Sequence, residues 1–531
     1  MQRRTILELA LVATLFVAAF AIRAFNLGVL VAFPDDLTYA SRTFQLVGMN
    51  WVWPISQMWD QPPLMVYLLS VVYIIFGVAL DTLRMLSVLA GSVSVVVAYY
   101  LGRSMYGRWA GFIAALVMAI NGFAILYSRL IYIEALASML ILAATYLFWE
   151  GLVKKRSMKL ALAGGLVYGL ALDAKYVSMV AGVALAVFLL VYYNKFEHGF
   201  PGKEAAVYFG VAFLCFTPVL VDLAINNVNP FYWDLYYRFQ IAQSNSFVGS
   251  VASGALLSNG FTHFVDLLFH VSSTIPFQVF PLLVVDIPLW SVLVVVVGAF
   301  FAVSFFLRWR PADGLLLILF VALLGFAFLY PDRRTYFLLY PALIFFVMLG
   351  RVGDWGIRYS RRRDRKVLAL VAAAVLALTV TGIAINATAV PQMYQSGFGD
   401  WDEITPIVQY VAIHHNPVSY LATTRLQVAV YLAMDNVNVT VLDMRGPSNY
   451  ASQSVLNQTL QTPYIGVYPT FWVISSASVE KMHPQFVVIP QSDWVTLTTE
   501  FQRFITANYF QPMSTNLVLL FQIRPGAFAS A

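Results

Sequence analysis

Long apolar runs, each closed by a short polar or basic stretch, dominate the first 390 residues. Eleven predict membrane crossings, at approximately 5–31, 84–102, 109–127, 134–152, 159–174, 177–193, 204–223, 284–307, 314–330, 336–350 and 367–389. A crossing needs about 20 apolar residues, somewhat fewer within a bundle. The run "PPLMVYLLSVVYIIFGVAL" at 62–80 reads instead as a helix lying in or dipping into the outer leaflet, because another crossing would reverse the side of every later basic loop. From about Pro391 the pattern changes to short polar and β-branched stretches, "VNVTVLDMR", "QFVVIPQSDW" and "NLVLLFQIR", with a helix-like "WDEITPIVQYVAIHH". The predicted fold class is a polytopic α-helical membrane protein of about eleven spans, residues 1–390, with a C-terminal extracytoplasmic soluble α/β domain, residues 391–531.

Composition agrees with that pattern. Apolar residues make up 60% of the 531 and charged residues 11%, with a mean hydropathy of +0.75, against about 25% charged in ordinary soluble chains. The net charge of +6 does not mark a nucleic-acid partner. With the N-terminus inside, 19 of the 32 Lys and Arg residues fall on the N-terminus and the loops "GRSMYGR", "KKRSMK", "NKFEHGFPGK", "RWRPADG" and "RVGDWGIRYSRRRDRK", the asymmetry of cytoplasmic loops. The first run has the basic start of a signal peptide but no small-residue cleavage site and continues past Arg23, so it reads as a retained span. Cys215, the single cysteine, sits in an apolar run and has no partner for a disulfide. Sequons at Asn386, Asn438 and Asn457 share the outer side in this topology.

The same topology gathers carboxylates and cations from distant parts of the chain at the outer face. Asp35, Asp36 and Arg42 lie in the first external loop, Arg129 and Glu134 close the second, Asp173 and Lys175 stand at the third, and Arg333 and Arg334 border the tenth span. Ionisable residues beside lipid are costly unless they snorkel, pair or do chemistry. A site that handles an anionic headgroup and a proton needs both signs together.

Five stretches in order, "PDDLTYA", "NWVWPISQMWDQPPLMVYLLS", "RMLSVLAGSVSVVVAYYLGRSMYGRWAGFIAALVMA", "SRLIYIEAL" and "RRTYFLLYPAL", resemble the membrane core of the C-type glycosyltransferases. Within that group they are most similar to the protein O-mannosyltransferases and the lipid A aminoarabinose transferases. The resemblance implies transfer of a sugar, with inversion, from a polyprenyl- or dolichyl-phosphate carrier to a protein, lipid or glycan acceptor on the outer face of a cell membrane. An acceptor hydroxyl must lose its proton as it attacks, and the departing lipid phosphate needs a cation. Asp35 matches the family's first-loop acid and is the candidate general base. Asp36 stands where the family usually has glutamate, suited to orienting the acceptor or holding a cation; Glu134 matches the second-loop acidic position. Lys175, Arg129, Arg333 and Arg334 are candidates for the carrier phosphate, and Tyr39, Tyr336 and Tyr340 for its headgroup. Gln61 departs from the pattern, since the aminoarabinose transferases carry a basic residue before Pro-Pro-Leu.

Two other readings compete. An oligosaccharyltransferase would share the membrane core, but its Trp-Trp-Asp motif is absent from the tail. A secondary transporter of a polar or anionic solute would place ionisable residues at the bilayer midplane and repeat its spans internally, and neither pattern is visible. No Walker loop or zinc-ligand spacing occurs, and His263 and His270 read as interfacial polar residues. No cofactor is called for; a divalent cation shared by the carboxylates is left open.

Overall fold

The computed structural model describes residues 2–27, 61–77, 79–195, 199–225, 288–329, 335–363, 401–414, 420–423, 440–443, 470–473, 483–494, 499–515 and 518–525, with single positions between them that include Asp36, Tyr39 and Arg42. It is mostly helical and divides into two compact units. The first comprises residues 1–27, 55–65 and 84–393, and the second residues 28–54, 66–83 and 394–531.

The helices begin with α1 (Gln2–Ala24), α2 (Leu64–Phe76), α3 (Leu80–Tyr106), α4 (Arg108–Ile120), α5 (Gly122–Tyr127), α6 (Ile133–Phe148), α7 (Met158–Ala174), α8 (Ser178–Val191) and α9 (Gly202–Ile225). They continue with α10 (Pro288–Arg308), α11 (Pro311–Leu329) and α12 (Leu339–Arg363), the last entered through a 3-10 turn at Thr335–Leu338. Among the described residues, five helices are long and apolar enough to cross a membrane: Ile6–Ala24, Leu80–Tyr106, Ile133–Lys154, Gly202–Val221 and Tyr336–Arg358. The predicted span 367–389 lies outside the described residues. Helix α2, at 13 residues, extends only about 20 Å and falls short of a hydrocarbon core of about 30 Å.

The run expected as one span at 109–127 is broken. Asn121 adopts an extended backbone between α4 and α5, and its side chain accepts a hydrogen bond from Ala124 N at 3.0 Å. Satisfying an orphan amide at the start of α5 in this way lets a helix restart inside an apolar run. Small residues set the interhelical spacing. A Cβ on Gly165 would stand 2.5 Å from Tyr208 O, and one on Gly169 2.5 Å from Cys215 Cβ, so α7 meets α9 along a stripe without side chains.

The basic ends of the first unit's helices meet at one end. Glu8 pairs with Arg103, Arg108 stands 3.8 Å from the same carboxylate, and Glu150 takes Lys154 at 3.0 Å and Lys155 at 2.6 Å. Arg358 donates to Tyr106 O, and Arg351 lies 3.7 Å from the buried Asp313. These contacts gather basic loops that charge assigns to one side, at α1, α3, α4, the π turn after α6, α11 and α12.

The second unit carries a six-stranded sheet of β1 (Tyr420–Thr423), β2 (Thr440–Asp443), β3 (Thr470–Val473), β4 (Phe486–Pro490), β5 (Tyr509–Ser514) and β6 (Val518–Ile523), in the order β3-β2-β1-β4-β6-β5. Strands β3, β2, β1 and β4 are mutually parallel, and β6 joins β4 and β5 antiparallel. The core joins Ala422, Val487, Ile489 and Phe521 from strands to Phe501 and Ile505 from the helix Thr499–Asn508. Pro512, which has no amide to donate, falls at the register break between Phe510 and Met513 on the edge strand β5, where the sheet tolerates it. Tyr509, whose hydroxyl donates to Pro484 O at 2.9 Å, is buried in the core, and burial raises its pKa.

Candidate active site

At the end of the first unit opposite the basic loops, two chain turns bring ionisable groups together. Helix α6 starts at Ile133, runs through a π turn at Trp149–Lys154, and is followed after Ser157 by α7, which ends at Ala174. A helical hairpin sets residues equidistant from its turn side by side. Glu134, in the first turn of α6, and Lys175, the cap of α7, accordingly form an ion pair through Oε1 and Nζ, with both side chains buried.

Aromatic rings complete the setting. The Lys175 ammonium lies 5.3 Å from the Tyr336 ring centroid and 4.8 Å from that of Phe337, both on the turn before α12. Such faces attract a desolvated cation. Tyr336 packs edge-on with Tyr127 and tilted against Tyr132, linking this seat to the segment that carries Arg129.

Arg129 points toward the end of α1. Its Nη2 donates to Phe25 O at 2.6 Å and Asn26 O at 3.1 Å, while Arg84 donates to Leu27 O at 3.1 Å. Arg23 reaches the other way, from α1 to Ser128 Oγ (2.9 Å), Ala119 O (3.1 Å) and Met118 O (3.0 Å). Its guanidinium is fully buried, and all of its hydrogen-bond partners among the described residues are uncharged. Close approach is essential here, since a Cβ on Gly91 would lie 2.3 Å from Ser128 Cβ and 3.0 Å from Arg23 Nε. Arg23 therefore locks α1 to the break between α4 and α5. Arg23→Met is expected to lower the melting temperature in detergent, each carbonyl left dry costing roughly 1–3 kcal/mol; Arg23→Lys should lose less. An unchanged melting curve for the methionine variant would show that the clasp carries no stability.

The structure thus brings Glu134 together with Lys175 and Tyr336, and Phe337 joins them although the sequence reading passed over it. Its signal was present as an aromatic next to Tyr336 in "RRTYFLL". Arg129 is one segment away, joined through Tyr132. Gln61 is buried, and its Oε1 has no hydrogen-bond partner among the described residues. Asp173 on α7 likewise has a buried Oδ1 without one. Tyr340 is buried on α12. In the second unit, Asp36 and Tyr39 are buried and the Arg42 guanidinium stands 5.9 Å from the Tyr39 ring centroid. Asp35, Arg333 and Arg334 lie outside the described residues. Among the described residues no three His, Cys, Asp or Glu side chains group as metal ligands.

Two likenesses, one of sequence and one of fold, show the expected resemblance to the C-type membrane glycosyltransferases. Residues 60–224 match the family described as dolichyl-phosphate-mannose-protein mannosyltransferase. More particularly, 169 residues are 27% identical to YkcB of Bacillus subtilis (strain 168), whose name assigns it provisionally to the mannosyltransferases; the match takes in 32% of this chain and spans only 23% of that relative's length. The fold is similar to that of ArnT from Cupriavidus metallidurans, in its apo state and bound to undecaprenyl phosphate. The TM-score is 0.63 at 13% identity, over 98% of this chain and 98–99% of that one. It is also similar to the oligosaccharyltransferase AglB from Archaeoglobus fulgidus, solved with an inhibitory peptide and a dolichol-phosphate, at a TM-score of 0.60 and 14% identity over 98% of this chain and 74% of that one.

Proposed function

We propose that this protein is an integral membrane glycosyltransferase that moves a sugar from a polyprenyl- or dolichyl-phosphate carrier to an acceptor hydroxyl on the extracytoplasmic side, with inversion at the anomeric carbon. The observation that carries the reading is the buried Glu134–Lys175 pair at the end of the helices opposite the basic loops. The 22 residues of Ile133–Lys154 make about 33 Å of helix, roughly one hydrocarbon thickness. With the arginine- and lysine-rich end in the cytoplasm, the pair lies at the outer leaflet, where a lipid-linked phosphate presents its headgroup.

In this reading Lys175, backed by Tyr336 and Phe337, neutralises the phosphate as it leaves the sugar, and Arg129, Arg333 and Arg334 are the further cations for it. Asp35 takes the acceptor proton, and Asp36 orients the acceptor. The amide of Gln61, whose buried Oε1 has no partner among the described residues, accepts a hydrogen bond from a sugar hydroxyl. About eleven spans carry this machinery, and residues 391–531 form an extracytoplasmic domain.

Purified protein in liposomes, given a panel of radiolabelled polyprenyl- and dolichyl-phosphate sugars, is expected to transfer label from at least one monosaccharide carrier and to release lipid phosphate in equal amount. Label moving only from an oligosaccharide carrier to an asparagine peptide would instead indicate the oligosaccharyltransferase reaction. Solute flux without any transfer would replace the enzyme reading with a transporter.

A further inference from the structure

The Glu134–Lys175 pair raises a question for the reaction just described, since the cation assigned to the carrier phosphate is already taken by a carboxylate. Resting on that reading, we propose that Glu134 is a place-holding counter-ion: the carrier phosphate displaces it from Lys175, so the carboxylate becomes available to the acceptor only once a donor is seated.

The two partners are built to separate. Glu134 stands in the first turn of α6, where amides without an intrahelical partner and the positive end of the helix dipole favour a carboxylate. Lys175 caps the C-terminus of α7, where a cation is favoured, and its ammonium rests against Tyr336 and Phe337 at 5.3 and 4.8 Å. Each ion therefore keeps part of its support when the other leaves, and the arriving phosphate replaces the anion that Lys175 gives up. Burial makes joint occupancy costly, because the anionic carrier phosphate, a diester while it holds the sugar and a monoester once the sugar has left, would set like charges beside Glu134 where water screens them least. Exchange, rather than addition, relieves that repulsion.

The two ligands of one ammonium are thus linked, and whatever weakens one strengthens the other. In enzymatic terms, a carboxylate freed only by the donor cannot assist water or an acceptor at an empty site. Glu134 acts on the phosphate through Lys175 and is in that respect a positioning residue.

The test is binding alone, without turnover, using undecaprenyl phosphate in micelles and inorganic phosphate as separate titrants. Glu134→Gln is expected to tighten undecaprenyl phosphate by about ten-fold, within the usual range for two ligands coupled through one group. In a Lys175→Met background the same change should have a clearly smaller effect, because the competition for one ammonium is gone and only the like-charge repulsion remains. Inorganic phosphate, which lacks the lipid chain, should follow the same pattern more weakly; an equal affinity for both titrants would point to a free phosphate ligand and overturn the lipid assignment. In the wild type, carbodiimide cross-linking of Glu134 to Lys175, read by mass spectrometry, should be suppressed by saturating undecaprenyl phosphate. This arm needs no variant to fold. Binding that is equal or weaker in Glu134→Gln, or a cross-link yield indifferent to the carrier, overturns the exchange while leaving the glycosyltransferase reading intact. A wild type that binds neither titrant overturns both.

Discussion

Lys175→Met is expected to destabilise the protein by about 3–5 kcal/mol, because it strands a buried carboxylate without its counter-ion. Glu134 must then either bind a proton or bear the desolvation cost, and both outcomes draw free energy from the folded state. Adding Glu134→Gln should recover most of the loss, since removing both members of a buried pair is often near neutral. The measurement is a double-mutant cycle of melting temperatures in one detergent, which isolates the interaction of the two residues from the packing each loses. A coupling near zero would mean that the pair is wetted in the membrane and worth no more than a surface ion pair. In the reconstituted enzyme the single lysine variant should also raise KM for the carrier, whereas the glutamine variant should not.

The parts legible in the sequence were those with a one-dimensional signature. Apolar runs and basic loops located most of the described helices of the first unit, because burial in lipid selects composition over a length fixed by the bilayer; their ends were less legible, α12 running 13 residues past the predicted 350 and α1 stopping at Ala24 rather than 31. The stretches "VNVTVLDMR", "QFVVIPQSDW" and "NLVLLFQIR" likewise contain β2, β4 and β6, and the helix-like segment became Trp401–His414. The break at Asn121 was hidden inside an unbroken apolar run, although Asn-Gly is a fair stop-and-restart signal in hindsight. The π turn at Trp149–Lys154 has no sequence signature at all.

The site was half legible for the same reason. Glu134 and Lys175 were each visible as ionisable residues at span ends, and their pairing follows once the α6–α7 hairpin is drawn with its turn near Arg156. What no pattern reveals is the use of backbone as a partner. Arg23, Arg84 and Arg129 are held by carbonyl oxygens of residues 25–27 and 118–119, and a carbonyl belongs to every residue alike. An arginine in an apolar run was therefore readable as costly, but its destination was not. These contacts also fix the chain just beyond α1, at Phe25–Leu27, eight residues before Asp35 in the sequence.

That base is the subject of the largest kinetic effect expected. A sugar or protein hydroxyl holds its proton firmly near neutral pH, so transfer requires an acceptor for that proton in the transition state, a contribution of about 10²–10⁴ in rate. Asparagine at position 35 keeps the size and a hydrogen-bonding oxygen of the aspartate but cannot take the proton. Asp35→Asn should thus lower kcat by about 10²–10⁴-fold and leave carrier affinity within about two-fold, the pattern of an interaction made only in the transition state. Carrier binding is the necessary control, because in the proposed reading it depends on Lys175 and its neighbours and so reports that the donor site is intact. A loss confined to KM would move Asp35 from proton transfer to substrate binding. Undiminished transfer would hand the role to another carboxylate, and Asp36→Asn and Glu134→Gln, measured under the same saturating donor, would then show which one holds it.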